Sequence, residues 1–206
     1  MRNTAFSFIH VTTATAALTL LAGCATTVRT PTTTSNPKPA EAFSAFTSFE
    51  LKSIDTSTDC VKQGGADVAM AGIQTRLNTH LSPIVAEWNR KNAGITGRKL
   101  VIEPVCSDAK LVGTAKRIFT GPLSGSSAIV MKMRYIDADS GKLIAEPVFY
   151  QRAAAMGAAY TFGATDRTML NRISSLMVDY TRNNYPAAVG GPTGAVDQDV
   201  SNTVQE

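Results

Sequence analysis

SSAIVMKMRYI (126–136), DADSG (137–141) and KLIAEPVFYQR (142–152) form the stretch on which the fold turns. Ile129, Met131, Met133 and Tyr135 alternate with Lys132 and Arg134, so a strand over these residues has one apolar and one polar face. The five residues that follow are turn chemistry, and Gly141 suits a position with φ > 0. The second run also reads as a strand, so the two predict an antiparallel hairpin over Ser126–Ile136 and Lys142–Arg152.

Working outward, helical period brackets the hairpin. Ala66, Met70, Ile73, Leu77, Leu81, Ile84 and Trp88 recur at steps of three and four and draw one apolar stripe. Pro83 interrupts it, either as a kink or, with Ser82, as the start of a second helix. The stripe keeps phase, so one kinked helix is expected, stopped by Gly94. Downstream, Met169, Ile173, Leu176 or Met177, and Tyr180 give a second stripe, with Asp166 as its expected N-cap and Asn183 and Pro186 as its end. Thr47–Ile54 and Lys99–Cys106 read as strands, the latter edge-like or bulged at Pro104, and Lys116–Phe119 as a short one. The order predicts an α+β fold: a mixed, largely antiparallel sheet with two main helices packed on one face, flanked by disordered termini.

The first residues carry an address. Behind Arg2, an apolar run from Phe6 closes on Leu21-Ala22-Gly23-Cys24. It is too short and too rich in threonine to span a bilayer stably, and small residues before a cleavage point mark a secretory signal peptide. The four residues resemble the lipobox of bacterial lipoproteins. The resemblance implies removal of residues 1–23, acylation of Cys24 (palmitate and its like), export, and a membrane anchor. Two or more acyl chains give stable anchoring where one is marginal. By analogy with enterobacterial sorting, Ala25 in place of an aspartate implies the outer membrane, facing the periplasm. The element order also loosely resembles small domains of envelope-assembly lipoproteins related to the curli secretion lipoprotein. Gly121 through Tyr150, with Gly-x-x-x-Gly and then Asp-x-x-x-Gly between strands, is similar to lipoprotein families of unknown function. These resemblances imply a fold and a compartment, not a reaction.

The remaining chain divides by composition. Residues 24–42 are rich in threonine and proline and are expected as a tether, 43–185 as one domain, and 186–206 as a disordered tail. Loss of residues 1–23 takes away one arginine and leaves 19 basic against 16 acidic side chains. Seven of the basic residues fall between Arg90 and Arg117, against Glu103 and Asp108. They read either as a solvated face, the preferred reading, or as a patch for anionic headgroups. Once Cys24 is acylated, Cys60 and Cys106 remain, an even number in an oxidising compartment. One disulfide is expected, two separate buried thiols being the alternative.

No chemistry of comparable specificity follows Cys24. His80 is the only histidine left after processing, and no Gly-x-Ser-x-Gly elbow supplies a nucleophile to partner it. Asp137 and Asp139 lack the sixth-position glycine and twelfth-position glutamate of a calcium loop. Gly121–Gly125 lacks the Lys-Ser/Thr ending of a phosphate loop. Glu50, Glu103 and Glu146 sit on expected strands, where alternation produces exposed polar positions more often than a catalytic pair. No catalytic, cofactor-binding or metal residues are assigned, and nucleic acid is not an expected partner. The expectation is a non-enzymatic envelope lipoprotein that binds a protein partner in assembly or transport. The alternatives are an envelope hydrolase with an unrecognised site, or a lipid- or glycan-binding module.

Overall fold

A computed structural model of the chain describes residues 28–56, 58–61, 64–111, 126–153 and 164–196. Its elements in order are β1 (Ser35–Asn36), a 3-10 turn (Phe43–Ala45), β2 (Ser48–Leu51), α1 (Ala66–His80), α2 (Ser82–Lys91), β3 (Lys99–Lys110), β4 (Ser127–Asp137), β5 (Leu143–Ala145), β6 (Val148–Ala153), α3 (Ala164–Asn183) and β7 (Gly191–Pro192). The expected strand at Lys116–Phe119 lies outside the described residues.

The hairpin forms as its sequence requires. Gly141 takes φ +71°, and its N–H donates to the Asp137 carbonyl at 2.8 Å. β4 is the central strand. It pairs antiparallel with β3 on one side and with β5 and then β6 on the other, the break falling at Glu146-Pro147. β2 pairs parallel with β3 across the α1–α2 crossover, so the five-stranded sheet is mixed and mostly antiparallel. The helices cover one of its faces, as expected.

β3 runs four residues past the expected end at Cys106 because a bulge lets it. Leu100, Ile102, Pro104 and Cys106 point to the core, and then the register shifts between Cys106 and Asp108. One extra residue reverses the alternation. Ala109 therefore takes the core position opposite Ile129, while Asp108 and Lys110 turn to the open face. Unbroken alternation would have sent both charges inward, at a cost no nearby group could offset.

The stripes pack as their spacing predicts, with two adjustments. Ala66, Met70, Ile73, Leu77, Leu81 and Trp88 are buried, but Val85 is buried as well and Ile84 packs against the core only in part. The expected single kinked helix is instead two helices meeting at Leu81 (φ −97°, ψ −41°), with Pro83 in the first turn of α2. Proline has no N–H to continue the ladder, and the first turn is where that loss costs least. In α3, Met169, Ile173, Met177 and Tyr180 are buried and Leu176 only partly, while Asp166 lies inside the first turn rather than at the cap.

The termini require the larger correction. Described residues of the expected tether and tail are seated on the domain. β1 pairs with β7, Thr193 donates its N–H to the Thr34 carbonyl at 2.9 Å, and Tyr150 of β6 donates its N–H to the Thr193 carbonyl at 2.8 Å. Gly194, at φ +87°, lies so close to β6 that a Cβ would stand 2.5 Å from the Tyr150 carbonyl oxygen. Buried Asn184 makes four bonds, donating to Tyr180 and Gly190 carbonyls and accepting from the N–H groups of Val189 and Gly190. It bends the chain after α3 back to the sheet. Composition read these segments as unable to bury enough surface, yet they gain order by hydrogen-bonding to a sheet edge that already exists.

Both sheet edges end in the same device. The Asn36 carboxamide accepts from the Val148 N–H and donates to the Val148 carbonyl, both at 2.8 Å. The Asn89 carboxamide does the same for Phe49, at 2.7 and 2.8 Å. An amide side chain thus stands in for a further strand and satisfies an edge residue that would otherwise recruit one.

Ile173 is fully buried on α3 and Arg172, one step round, is exposed. In the soluble chain lacking residues 1–24, Ile173→Ala is expected to cost about 2–5 kcal/mol and Arg172→Ala under about 0.5 kcal/mol. Denaturant melts check this, and equal small losses would mean that α3 does not pack on the sheet through this stripe.

Candidate functional site

Cys24 lies outside the described residues, as does Gly121–Gly125. The other singled-out residues fall on three surfaces: the open face of the sheet, the hairpin end, and a groove between α1 and α3.

The open face is a ladder of charges alternating in sign. Glu50 pairs with Lys52 and Lys99, Glu103 with Arg134 at 3.0 Å, and Glu146 with Arg134 and Lys132, both at 3.6 Å. The bonds from Lys52 and Lys99 hold the Glu50 carboxyl down to about 2. The three glutamates weighed as possible acids are therefore dispersed along an exposed face, each opposite a cation. A general acid needs the opposite setting, burial that raises its pKa toward neutrality.

Lys116 and Arg117 of the basic run lie outside the described residues, and the rest of it, Arg90 to Lys110, is divided by the fold. Lys91 pairs with Glu87 within α2 at 2.7 Å, Lys99 joins Glu50, and Lys110 sits at the far end of the open face. Arg98 is taken up at the hairpin end, where its two terminal nitrogens donate to both Glu41 oxygens at 2.5 and 3.0 Å. It also reaches Asp137 Oδ2 at 3.1 Å and lies over the Phe46 ring, 4.4 Å from its centre. This bidentate geometry is the strong form of the pair, and it lowers the Glu41 carboxyl and raises the guanidinium. Asp137 is buried. Burial pushes its carboxyl up, but the N–H groups of Asp139 and Ser140 and the Arg98 guanidinium outweigh that and hold it below its ordinary 3.8. Of the two aspartates that superficially suggest a calcium loop, Asp137 thus closes the turn and binds Arg98, and Asp139 contributes its N–H.

The groove between α1 and α3 measures about 360 Å³ and is lined by Arg76, His80, Ser174, Ser175, Asp179 and Arg182, among others. It brings His80 near two serines and an aspartate, a juxtaposition that spacing along the chain did not reveal. Ser174 is buried and its hydroxyl donates to the Leu170 carbonyl at 2.8 Å, and Asp179 pairs with Arg182 at 3.6 Å. Arg76 binds Asn171 and the Gly72 carbonyl. Ser174 and the Asp179–Arg182 pair thus serve α3 itself, and Arg76 ties α1 to α3.

Cys60, in the turn before α1, and Cys106, beside the β3 bulge, stand at disulfide distance with Cα atoms 5.8 Å apart, both buried. That separation is within the span that a bridge requires. Among the described residues, no helix is long and apolar enough to cross a membrane. Nor, among them, do three or more His, Cys, Asp or Glu side chains gather as a metal site.

No protein-family model matches the chain, and no curated protein matches it. Solved structures of similar shape include a PelC dodecamer from Paraburkholderia phytofirmans, at 13% identity and TM-score 0.34, covering 72% of this chain and 95% of that one. The hypothetical protein CT253 from Chlamydia trachomatis is 10% identical at TM-score 0.38, covering 67% and 97%. A candidate lipoprotein from Caulobacter crescentus CB15 is 10% identical at TM-score 0.29, covering 68% and 94%. Likeness at this level carries no functional inference.

Two measurements check this geometry. Non-reducing peptide mapping of protein taken from the cell envelope is expected to find Cys60 linked to Cys106. Replacing both by alanine should cost about 4 kcal/mol on the chain-entropy model for a loop of 46 residues, and two freely alkylated thiols would remove the bridge. Because the Asp137 carboxyl is held below 3.8, its stabilising share is present above that value and lost as pH falls through the lower folded value. Asp137→Asn should therefore be less stable than the wild type at about pH 7, and the gap should close toward about pH 2.5. A gap that stays constant in melts across that range would show that the carboxylate charge contributes nothing.

Proposed function

We propose that this protein is a bacterial envelope lipoprotein, acylated at Cys24 and facing the periplasm. Its domain acts as a non-enzymatic module that binds an envelope partner in assembly, transport or maintenance. The observation that carries the reading is Leu21-Ala22-Gly23-Cys24 at the end of a short apolar run behind Arg2. The neighbouring Cys60 and Cys106 support it independently, because a disulfide pair suits a chain exported to an oxidising compartment. Paired carboxylates on the open face and serine and aspartate groups committed within α3 favour binding over hydrolysis.

The groove holding His80 and Ser175 favours the second reading, an envelope hydrolase, and Ser175→Ala with His80→Gln separates the two. Unchanged growth and envelope integrity in a strain carrying both changes fits the binding module, whereas a null phenotype with normal protein levels fits the enzyme.

The primary test is Cys24→Ser. The wild type should enter the detergent phase and carry acyl mass on its N-terminal peptide. The variant should stay unprocessed by the lipoprotein route and leave the detergent phase. A wild type with no acyl mass, partitioning as the variant does, would overturn the proposal.

A further inference from the structure

We infer that the groove between α1 and α3 is a peptide-docking site. Its occupant is a short extended segment of an envelope protein whose acidic side chains meet Arg76 and Arg182. The inference deepens the binding-module reading proposed above and rests on it.

The groove is built around an arginine held without an acid. Arg76 donates from Nε to Asn171 Oδ1, and from Nη1 to the Gly72 carbonyl at 2.8 Å. Both acceptors are neutral, so the guanidinium is fixed in place while its charge is left unmatched. Those bonds use Nε and Nη1, and the Nη2 edge is left for a ligand. Arg98 and Arg134, by contrast, are each held by carboxylates. The fold makes room for Arg76. Gly72 lies within α1, where glycine is a poor helix former. A Cβ at this position would stand 3.3 Å from both Arg76 Nη1 and Leu170 Cδ1 of α3. Glycine therefore lets the two helices approach closely with the guanidinium laid over the α1 backbone.

The second arginine stands at the other end of the groove. Asn171, Ser175, Val178 and Arg182 recur at steps of three and four, so they line one side of α3. From Asn171 to Arg182 the axis runs about 16 Å, the span of about five residues of extended chain. Asp179 stands 3.6 Å from Arg182, beyond hydrogen-bond range, and both side chains are largely exposed. Such a pair holds its members weakly and yields to a better-placed carboxylate. The charged groups of the groove are thus Arg76, Arg182 and Asp179, with His80 beside them. A fitting occupant sets one carboxylate at each arginine and a neutral stretch over Ser175 and the buried Val178. Two separated single charges suit this layout, whereas a compact phosphate reaches one end only. The walls, 76–80 and 171–182, lie within continuous described stretches.

The experiment uses the full mature chain purified in detergent. Its arginines are labelled with p-hydroxyphenylglyoxal and mapped by mass spectrometry, with and without the probe peptide acetyl-Glu-Ala-Ala-Ala-Glu-amide. Arg76 and Arg182 should lose labelling saturably as the peptide is added, while Arg172, exposed and outside the groove, labels as before. The counterpart with glutamine in place of both glutamates should protect neither arginine, and inorganic phosphate should not protect both together. Arg76→Lys should raise the peptide concentration that half-protects Arg182 about tenfold, because lysine supplies a point charge where the fork was. The two arginines carry the recognition, so Ser175→Ala with His80→Gln should leave protection unchanged. No protection of the wild type by the glutamate peptide overturns the docking site and leaves the binding-module reading standing. Equal protection by the glutamine peptide overturns the role of the carboxylates, and equal protection of both arginines by phosphate overturns the peptide as occupant. Equal loss at Arg172 overturns the groove as the place of binding. Protection abolished by the Ser175→Ala, His80→Gln pair, in a chain whose loss of both also gives a null phenotype, overturns the docking site together with the binding-module reading.

Discussion

The buried phenol of Tyr135 sets the arrangement of everything packed on the sheet. Its ring is fully enclosed in the middle of β4's core face. A hydroxyl removed from water must find a partner, or cost about 1–3 kcal/mol. Thr181 Oγ1 lies 2.6 Å away on α3, and Thr181 in turn donates to the Met177 carbonyl at 2.8 Å. Tyr135 is therefore the donor. Burial, the larger effect, pushes its acidity far out of reach, although the Thr181 bond pulls the other way. This bond ties α3 to the core face of β4, alongside the buried stripe of Met169, Ile173, Met177 and Tyr180. The rings around it follow: Phe43 stacks on Tyr135 at 4.5 Å, and Tyr180 lies 5.8 Å from both Tyr135 and Phe149. Phe43 precedes β2, so the same cluster ties the N-terminal segment to the sheet.

With α3 placed, the chain ends acquire somewhere to go. Tyr180 donates its hydroxyl to the Pro37 carbonyl at 3.1 Å, and Asn184 turns the chain toward β7. A second aromatic group, Phe49, Trp88 and Tyr185, fastens α2 and the end of α3 to β2. The Asn89 carboxamide then closes the edge of β2, and Asn36 closes that of β6. At Phe49 and Val148 these side chains take up the backbone groups that an added strand would use.

Residues 28–36 are bonded to the domain through the Arg29 N–H to Asp108 and the β1–β7 pair, so the ordered body begins earlier than composition suggests. The open face carries a ladder of paired charges, which hold shape and solubility at little net cost.

Local regularities were legible in the residues themselves. Alternation over β4, the glycine of the Asp137–Gly141 turn and the two helical stripes each depend on neighbours a few positions apart, where backbone geometry alone sets the period. The resemblance of Leu21–Cys24 to a lipobox is likewise carried by contiguous residues, and the expectation that Cys60 meets Cys106 rested on their even number. The bulge that turns Lys110 outward was not legible, because it depends on β3 meeting Ile129 and Val130 in a particular register. Nor was the bond from Asn36 to Val148, 112 residues away, or the seat of Val28 on Ala128 and Tyr150. Thr/Pro-rich and Gly-rich segments lack the apolar surface to order themselves, and composition reports only that deficit. Whether such a segment stays free depends on unsatisfied backbone groups offered by a distant edge, and only the assembled tertiary structure creates them. The sequence by itself therefore determined the elements and their inward faces. The tertiary structure decided the register, the closure of the edges and the seating of the chain ends, because each of those is a contact between residues that the chain order keeps apart.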